Sequence, residues 1–321
     1  MKKLNNKILI TGGAGYIGQN LVNYLIRKKY QVSVVDNLST SSPIEKNIKK
    51  KIKFYKVDLA DKDKAKNFFN KKNFDIIIHL AAFSGVHEFN KNLLKSFSNN
   101  ILSTKNLVTF GFEKESTKLI FASSAAVYGK VSSKKIDESH SCNPVNYYGL
   151  SKLACESIIK NAFKVKKNPF AILRYFNVVG SIIDYKIKKK INSLMDVIKK
   201  GVNKKIYKIN INGKNFKTKD GTPERDFIHV NDLCRIHEKT FQYLFKKKYI
   251  LINCGSGVRY SVLNIISAFE KKMKKKFKLT YKIKNIDETE TICADINLLK
   301  KLLKIDIKKT KLNDLLKEYF N

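Results

Sequence analysis

The stretch Lys7-Ile8-Leu9-Ile10-Thr11-Gly12-Gly13-Ala14-Gly15-Tyr16-Ile17-Gly18 decides how the rest of the 321-residue chain is read. The apolar run Lys7 to Ile10 predicts a short strand, and the apolar spacing from Gly18 to Lys28 predicts a helix. Between them, glycines allow a tight turn and let backbone N–H groups and the helix N-terminus approach a pyrophosphate with no Cβ in the way. A glycine motif alone is weak. One that stands after a strand and before a helix has the context a dinucleotide site requires.

The same alternation continues along the chain. Short runs rich in β-branched residues at Val32 to Val35, Phe54 to Val57, Ile76 to Leu80, Leu119 to Ala122 and Ala171 to Arg174 are separated by helical spacing. The helical segments are Lys62 to Asn70, Ser98 to Phe112 and Tyr148 to Phe163. This pattern predicts an α/β fold, a Rossmann-type doubly wound parallel sheet with ligands at the strand C-termini. After Asn177 it gives way to the lysine run Lys186 to Lys190, a helix near Ser193 to Lys200 and the glycine-punctuated Asn210 to Gly221. That change of pattern predicts a smaller C-terminal substrate-binding lobe. The expected division is a dinucleotide-binding domain over 1–177, with 226–254 returning to it, and a lobe built from 178–225 and 255–321.

Composition narrows the class further. Hydrophobic residues make up 43% and charged residues 29%, ordinary for a globular protein, and no run approaches the ~18 apolar residues of a membrane span. Met1-Lys2-Lys3-Leu4-Asn5-Asn6 leads straight into the first strand with no signal-peptide apolar region, so a cytoplasmic protein is expected. The five cysteines are odd in number and nowhere spaced C-x-x-C, which indicates neither a disulfide framework nor a metal site. A net charge of +38 would ordinarily suggest nucleic acid. Of the 65 basic residues, however, only Arg27, Arg174, Arg225, Arg235 and Arg259 are arginine, and lysines punctuate every expected helix and loop. This is read as a solvated surface with no specific nucleic-acid partner, since readers of nucleic acid concentrate arginine and aromatics in one segment.

Other positions carry chemistry. Asp36 ends the second strand, where a carboxylate can accept both ribose hydroxyls of NAD and repel the 2′-phosphate of NADP. Asp58 reads equally well as an adenine contact or as the N-cap of the following helix. Tyr148 and Lys152, four apart, share one helix face, and an ammonium beside a phenol favours the phenolate, a usable base. The neighbouring Tyr147 has Ser151 at the equivalent spacing and is the poorer candidate. Ser124, just past the strand Leu119 to Ala122, can steady a reacting hydroxyl.

With these motifs the sequence resembles the extended short-chain dehydrogenase/reductase family, and within it the UDP-sugar 4-epimerases. The resemblance rests on Thr11 to Gly18, Val35-Asp36-Asn37-Leu38-Ser39-Thr40, His79-Leu80-Ala81-Ala82, Ser123 to Gly129, Tyr148-Gly149-Leu150-Ser151-Lys152, Arg174-Tyr175-Phe176-Asn177, and Asp220 to Val230. It implies NAD as cofactor, no metal, and Ser124, Tyr148 and Lys152 as catalytic residues. Gly12, Gly15, Tyr16, Ile17, Asp36, Asn37, Asp58, Leu59, Ala81, Ala82, Asn100, Lys152 and Tyr175 would surround the cofactor. Ser124, Phe176, Asn177 and Arg225 would hold a UDP-hexose, with the arginine on the diphosphate. The resemblance further implies transient oxidation at C4 with hydride return to the opposite face, and a homodimer paired through the helices containing Ser98 to Phe112 and Tyr148 to Phe163.

Three positions depart from the epimerase pattern. Ser84, in Phe83-Ser84-Gly85-Val86, stands where many epimerases carry lysine, and Ser193 replaces an asparagine. Asn285-Ile286-Asp287-Glu288 takes the place of a late Arg-x-Gly-Asp, which removes one phosphate arginine. Ala125 and Ala126 follow Ser124 where a 4,6-dehydratase needs an acid/base pair, so dehydration is disfavoured. Another nucleotide-sugar epimerase or a reductase is the alternative within the family. A non-catalytic polyanion-binding protein is the alternative outside it, and the intact Ser124, Tyr148 and Lys152 speak against that.

Overall fold

In the computed structural model, which describes residues 6–41, 43–84, 89, 92–112, 114–131, 135–182, 194–282, 289–308 and 310–319, seven strands form one sheet. They are β1 (Lys7–Thr11), β2 (Gln31–Asp36), β3 (Lys53–Lys56), β4 (Ile76–His79), β5 (Lys118–Ser124), β6 (Phe170–Tyr175) and β10 (Tyr249–Cys254). All pair in parallel, in the order β10-β6-β5-β4-β1-β2-β3. The six expected strands are all present, and β10 adds a seventh at the edge.

Burial on both faces explains the composition of the central strands. Ile8 and Ile10 of β1 point to one layer, while Leu9 points to the other. The first layer packs the helices Tyr16–Arg27, Val230–Leu244 and Asn297–Leu303 through Leu21, Leu25, Leu233, Phe241 and Leu299. The second packs Lys62–Asn70, Leu93–Phe110 and Tyr147–Lys166 through Phe68, Phe69, Leu107, Ile159 and Phe163. The helix Leu93–Phe110 begins five residues before the expected Ser98, because its first turn leaves Leu94 76% exposed and shows no apolar stripe.

The remaining strands build a smaller layer. β7 (Asn177–Val179), β9 (Glu224–His229), β11 (Arg259–Ser261) and β13 (Thr291–Ile292) form a second sheet, and β8 (Lys208–Asn212) pairs with β12 (Lys278–Lys282). A separate core of Ile198, Ile209, Ile211, Phe227, Ile265 and Phe269 holds them. The helix Asn297–Leu303, though late in the chain, packs against β10 and Val230–Leu244. Among the described residues no helix is long and apolar enough to cross a membrane. The expected Lys186 to Lys190 run lies outside the described residues.

Candidate active site

The winding of the sheet reverses between β1 and β4: the chain runs outward from β1 to β2 and β3, then returns to lay β4 on the other side. A crevice beyond the strand C-termini is where open α/β sheets bind ligands. Gly12 leaves β1 at φ +67°, and a Cβ there would lie 2.6 Å from the Ala81 nitrogen. Only glycine lets the loops after β1 and β4 touch at the crevice. The helix Tyr16–Arg27 then starts from Gly15, which offers no capping side chain. Gly15, Tyr16 and Ile17 are half-buried, so the helix N-terminus with its partial positive charge stays accessible to a phosphate. The Tyr16 hydroxyl donates to the Gly180 carbonyl and ties this loop to the end of β7.

Asp36 is 8% exposed at the end of β2 and already works inside the protein. Its Oδ2 accepts from Ala14 N at 3.0 Å, and Oδ1 accepts from Leu38 N at 2.8 Å and the Ser41 hydroxyl at 2.9 Å. Three acceptor positions of the carboxylate are thus taken within the protein. With two acceptor positions per oxygen, one stays open on Oδ2, and a second opens only if the Ser41 hydroxyl rotates away. The Asn37 side chain accepts from Ser39 N at 3.0 Å. Asp58 does not cap the next helix: Oδ1 accepts from Ala60 N, and the cap is Asp61, which accepts from Lys64 N. The Leu59 and Ala60 carbonyls are held by the Asn106 amide at 2.9 and 3.1 Å.

After β4 a hydrogen-bond chain fixes the crevice wall. Ala81 N donates to the Thr11 hydroxyl at 3.2 Å, so that hydroxyl directs its own proton to His79 Nδ1 at 2.7 Å. His79 Nε2 then donates to Thr104 at 3.1 Å. The ring is neutral, because burial, helped by the nearby Lys152 charge, lowers it to about 3. Asn100, 2% exposed, accepts from Phe83 N at 2.8 Å and donates to Phe83 O at 3.2 Å and to Ser151 Oγ at 3.1 Å. Its amide is spent inside the protein. It fastens the half-buried Ala81 and Ala82 loop to the helix Tyr147–Lys166.

Ser124 is the last residue of β5 rather than past it, and its hydroxyl accepts from Ala126 N at 3.2 Å as a 3-10 turn, Ala125–Tyr128, begins. Opposite stands the start of the helix Tyr147–Lys166, capped by Asn146, which accepts from Gly149 N at 2.8 Å. A Cβ on Gly149 would sit 2.4 Å from the Ala126 carbonyl oxygen, so glycine permits this close approach. The approach brings the Tyr148 phenol close enough to Ser124 for that hydroxyl to favour its ionised form. Tyr147 is 51% exposed and packs edge-on against Phe97 instead.

The expected acidification of Tyr148 by Lys152 does not occur here. Burial raises the phenol above its ordinary value, opposed only by the nearby Ser124 hydroxyl. Lys152 is 4% exposed and donates from Nζ to the Ala122 carbonyl at 2.8 Å, with its charge 5.0 Å from the Phe121 ring centroid. Burial lowers this ammonium to about 8 against the pull of Cys155 and Glu156. Helical spacing sets a shared face but not the direction of a four-carbon chain, and a buried ammonium takes a buried acceptor.

The ends of β6 and β9 supply the rest. Tyr175 turns its hydroxyl onto His237 Nε2 at 2.5 Å, so only its ring and backbone remain to line a site. Phe176 is 5% exposed, while Asn177 is exposed. Asn177 pairs with Phe227, and Arg225 lies two residues earlier on the same face of β9. Arg225 is half-buried, with Nη1 donating to the Glu224 and Glu290 carbonyls at 2.9 and 3.2 Å. Of the departing positions, Ser84 is exposed, whereas Gly85, Val86, Ser193 and Asn285 to Glu288 lie outside the described residues.

Residues 8–255 match the profile of the NAD dependent epimerase/dehydratase family. The chain belongs to this family. A UDP-glucose 4-epimerase of Drosophila melanogaster is 33% identical over 316 residues, covering 92% of this chain and 90% of that protein. The crystal structure of UDP-glucose-4-epimerase from Stenotrophomonas maltophila with bound NAD and formylated UDP-arabinopyranose superimposes with a TM-score of 0.89 at 27% identity. It covers 98% of this chain and 97% of its own. The UDP-Glc/GlcNAc 4-epimerase of Campylobacter jejuni is similar at 33% identity and a TM-score of 0.83, covering 98% of both chains.

Within this epimerase/dehydratase chain, sequence reasoning missed the supports of the site. Asn146 carried a readable signal, a cap residue just before an apolar helical run. Thr11, Thr104 and Asn106 carried none, because their partners come from distant segments.

Proposed function

We propose that this protein is an NAD-dependent UDP-glucose 4-epimerase, an isomerase that interconverts UDP-glucose and UDP-galactose. The observation that carries the reading is the approach of Tyr148 to Ser124 at the C-terminal end of β5, beside β4, which walls the glycine crevice. Ala125 and Ala126 next to it offer no ionisable group for C5 deprotonation and loss of the C6 hydroxyl, so the chemistry stops at oxidation and return.

The crevice fits NAD: Gly12 and Gly15 leave room where a Cβ would intrude, and Asp36 keeps an acceptor for ribose. Bound there, NAD supplies a reversible hydride acceptor and a positive ring charge that favours ionisation of a buried phenol. Ser124 holds the sugar 4-hydroxyl, and Tyr148 removes its proton and later gives it back. Lys152, charged at neutral pH and anchored on the Ala122 carbonyl, would hold the nicotinamide ribose. Arg225 and Asn177 grip the diphosphate, which leaves the 4-keto sugar free to turn before reduction from its other face. The lobe of 178–225 and much of 255–321 closes over the nucleotide.

Two copies pair through the outer faces of Leu93–Phe110 and Tyr147–Lys166, where Leu94, Leu102, Tyr147 and Leu150 are exposed. A cytoplasmic location accompanies this reading. Incubation of the purified protein with UDP-galactose and NAD should yield UDP-glucose, and no conversion refutes the assignment.

A further inference from the structure

Next to the Ser124–Tyr148 pair lies a buried charge cluster that the chemistry above does not use. Glu156 stands four residues beyond Lys152 and eight beyond Tyr148, on the same helix stripe, and is 0% exposed. The Ser123 hydroxyl donates to its Oε1 at 2.6 Å. Arg174 forks onto both oxygens, Nε to Oε1 at 3.0 Å and Nη2 to Oε2 at 2.8 Å. Lys160 adds a 3.4 Å contact from the outer side.

Each partner leads to the site. Ser123 precedes Ser124 on β5, and Arg174 precedes Tyr175, Phe176 and Asn177 at the end of β6. The Arg174 guanidinium also stands 4.8 Å from the Tyr128 ring centroid, the residue that closes the turn after Ser124. Tyr128 in turn donates to Asn253 Oδ1 on β10 at 2.7 Å. One carboxylate therefore fastens the helix of Tyr148 and Lys152 to the C-terminal ends of β5 and β6.

Stability alone is a poor reason for such a cluster, because apolar replacements of buried ion pairs are often no less stable. Direction is what the forked pair offers, since its planar geometry admits one alignment of helix and strand. Misplacing reacting groups by about 1 Å can cost on the order of 100-fold in rate. We propose that Glu156, acting through Ser123 and Arg174, is a positioning residue that sets the approach of Tyr148 to Ser124, the epimerase reading above being needed only for its turnover arm. Burial pushes the Glu156 carboxyl up, yet Arg174, Ser123 and Lys160 together hold it below its ordinary value, so the fork is charged at neutral pH. Lys152, Lys160, Arg174, Tyr128, Tyr249 and the Cys142 and Cys155 thiols are titratable groups around it.

The test uses the NAD-loaded protein with Ser123→Ala, which removes one link, and the double variant Glu156→Gln/Arg174→Met, which removes both charges. For UDP-galactose, kcat should fall at least about tenfold in the double variant and about threefold in Ser123→Ala, with KM within about twofold. Independently of turnover, NMR of ¹³Cζ-labelled tyrosine, with the Tyr148 signal assigned by Tyr148→Phe, should show Tyr148 titrating at higher pH in both variants. That shift follows from drawing Tyr148 away from the Ser124 hydroxyl, which opposes its rise. If the double variant fails to fold, Ser123→Ala decides. Folded variants with wild-type Tyr148 titration overturn the proposal, as do variants with wild-type kcat. An inactive wild type would sink the epimerase reading and leave the NMR arm to judge the positioning role.

Discussion

Replacing Tyr148 with phenylalanine removes one oxygen and keeps the ring, whose edge contact with Phe89 at 5.8 Å survives. The folding cost is no more than that of one hydrogen bond, about 0.5–1.5 kcal/mol. Loss of a positioned base, by contrast, typically costs about 10²–10⁴ in rate, or roughly 3–5 kcal/mol of barrier. The difference separates a catalytic role from a structural one. Conversion of UDP-galactose followed by chromatography, beside a thermal melt, reads both quantities on one preparation. The wild-type rate should climb with pH as the buried phenol ionises, since burial raises Tyr148 and its base form is scarce at low pH. This ascending limb should vanish in the variant. A Tyr148→Phe enzyme within tenfold of wild type, or one with the same pH profile, would refute the assignment of Tyr148 as the base.

Lys152→Met should abolish most turnover and yet stabilise the NAD-free protein at neutral pH. Burial lowers the folded ammonium from 10.5 to about 8, so between those values the unfolded chain binds a proton that the folded one does not. Stability therefore rises with pH across that window, and the gain from removing the charge, at most about 3 kcal/mol, shrinks as pH climbs from about 8. Denaturant titrations at two pH values check this, and a gain that grows with pH contradicts it. Gly12→Ala places a Cβ 2.6 Å from the Ala81 nitrogen at positive φ. At a strain of about 1–2 kcal/mol and with the loops forced apart, NAD affinity measured by calorimetry should fall about tenfold or more. Arg225→Ala should raise KM for UDP-galactose about 10- to 100-fold with kcat nearly unchanged, as expected from losing one charge-assisted contact of about 1.5–3 kcal/mol. A drop in kcat alone would move Arg225 out of the diphosphate site.

Local pattern made the frame of the molecule readable. The alternation of β-branched runs with helical spacing marked six strands of the sheet, and Lys62–Asn70 appeared with its expected bounds. Tyr249–Cys254 escaped as a strand because it follows a helix of the first layer and enters the sheet at its edge, beyond the regular alternation. In the site, Gly12, Gly15, Ser124 and Tyr148 were visible because backbone space and helix spacing are properties of neighbouring residues. Lys152 was visible as a residue but not as an interaction.

Sequence by itself determined the doubly wound sheet, the glycine turn at its first helix and the order of the candidate site residues, because periodicity and turn chemistry act within a few positions along the chain. Tertiary structure decided which acceptor each buried polar group takes: Lys152 goes to Ala122, Asp36 to Ala14, Leu38 and Ser41, and Glu156 to Ser123 and Arg174. A desolvated charge must find a partner within hydrogen-bond reach, and here most of those partners arrive from strands and turns far away in sequence.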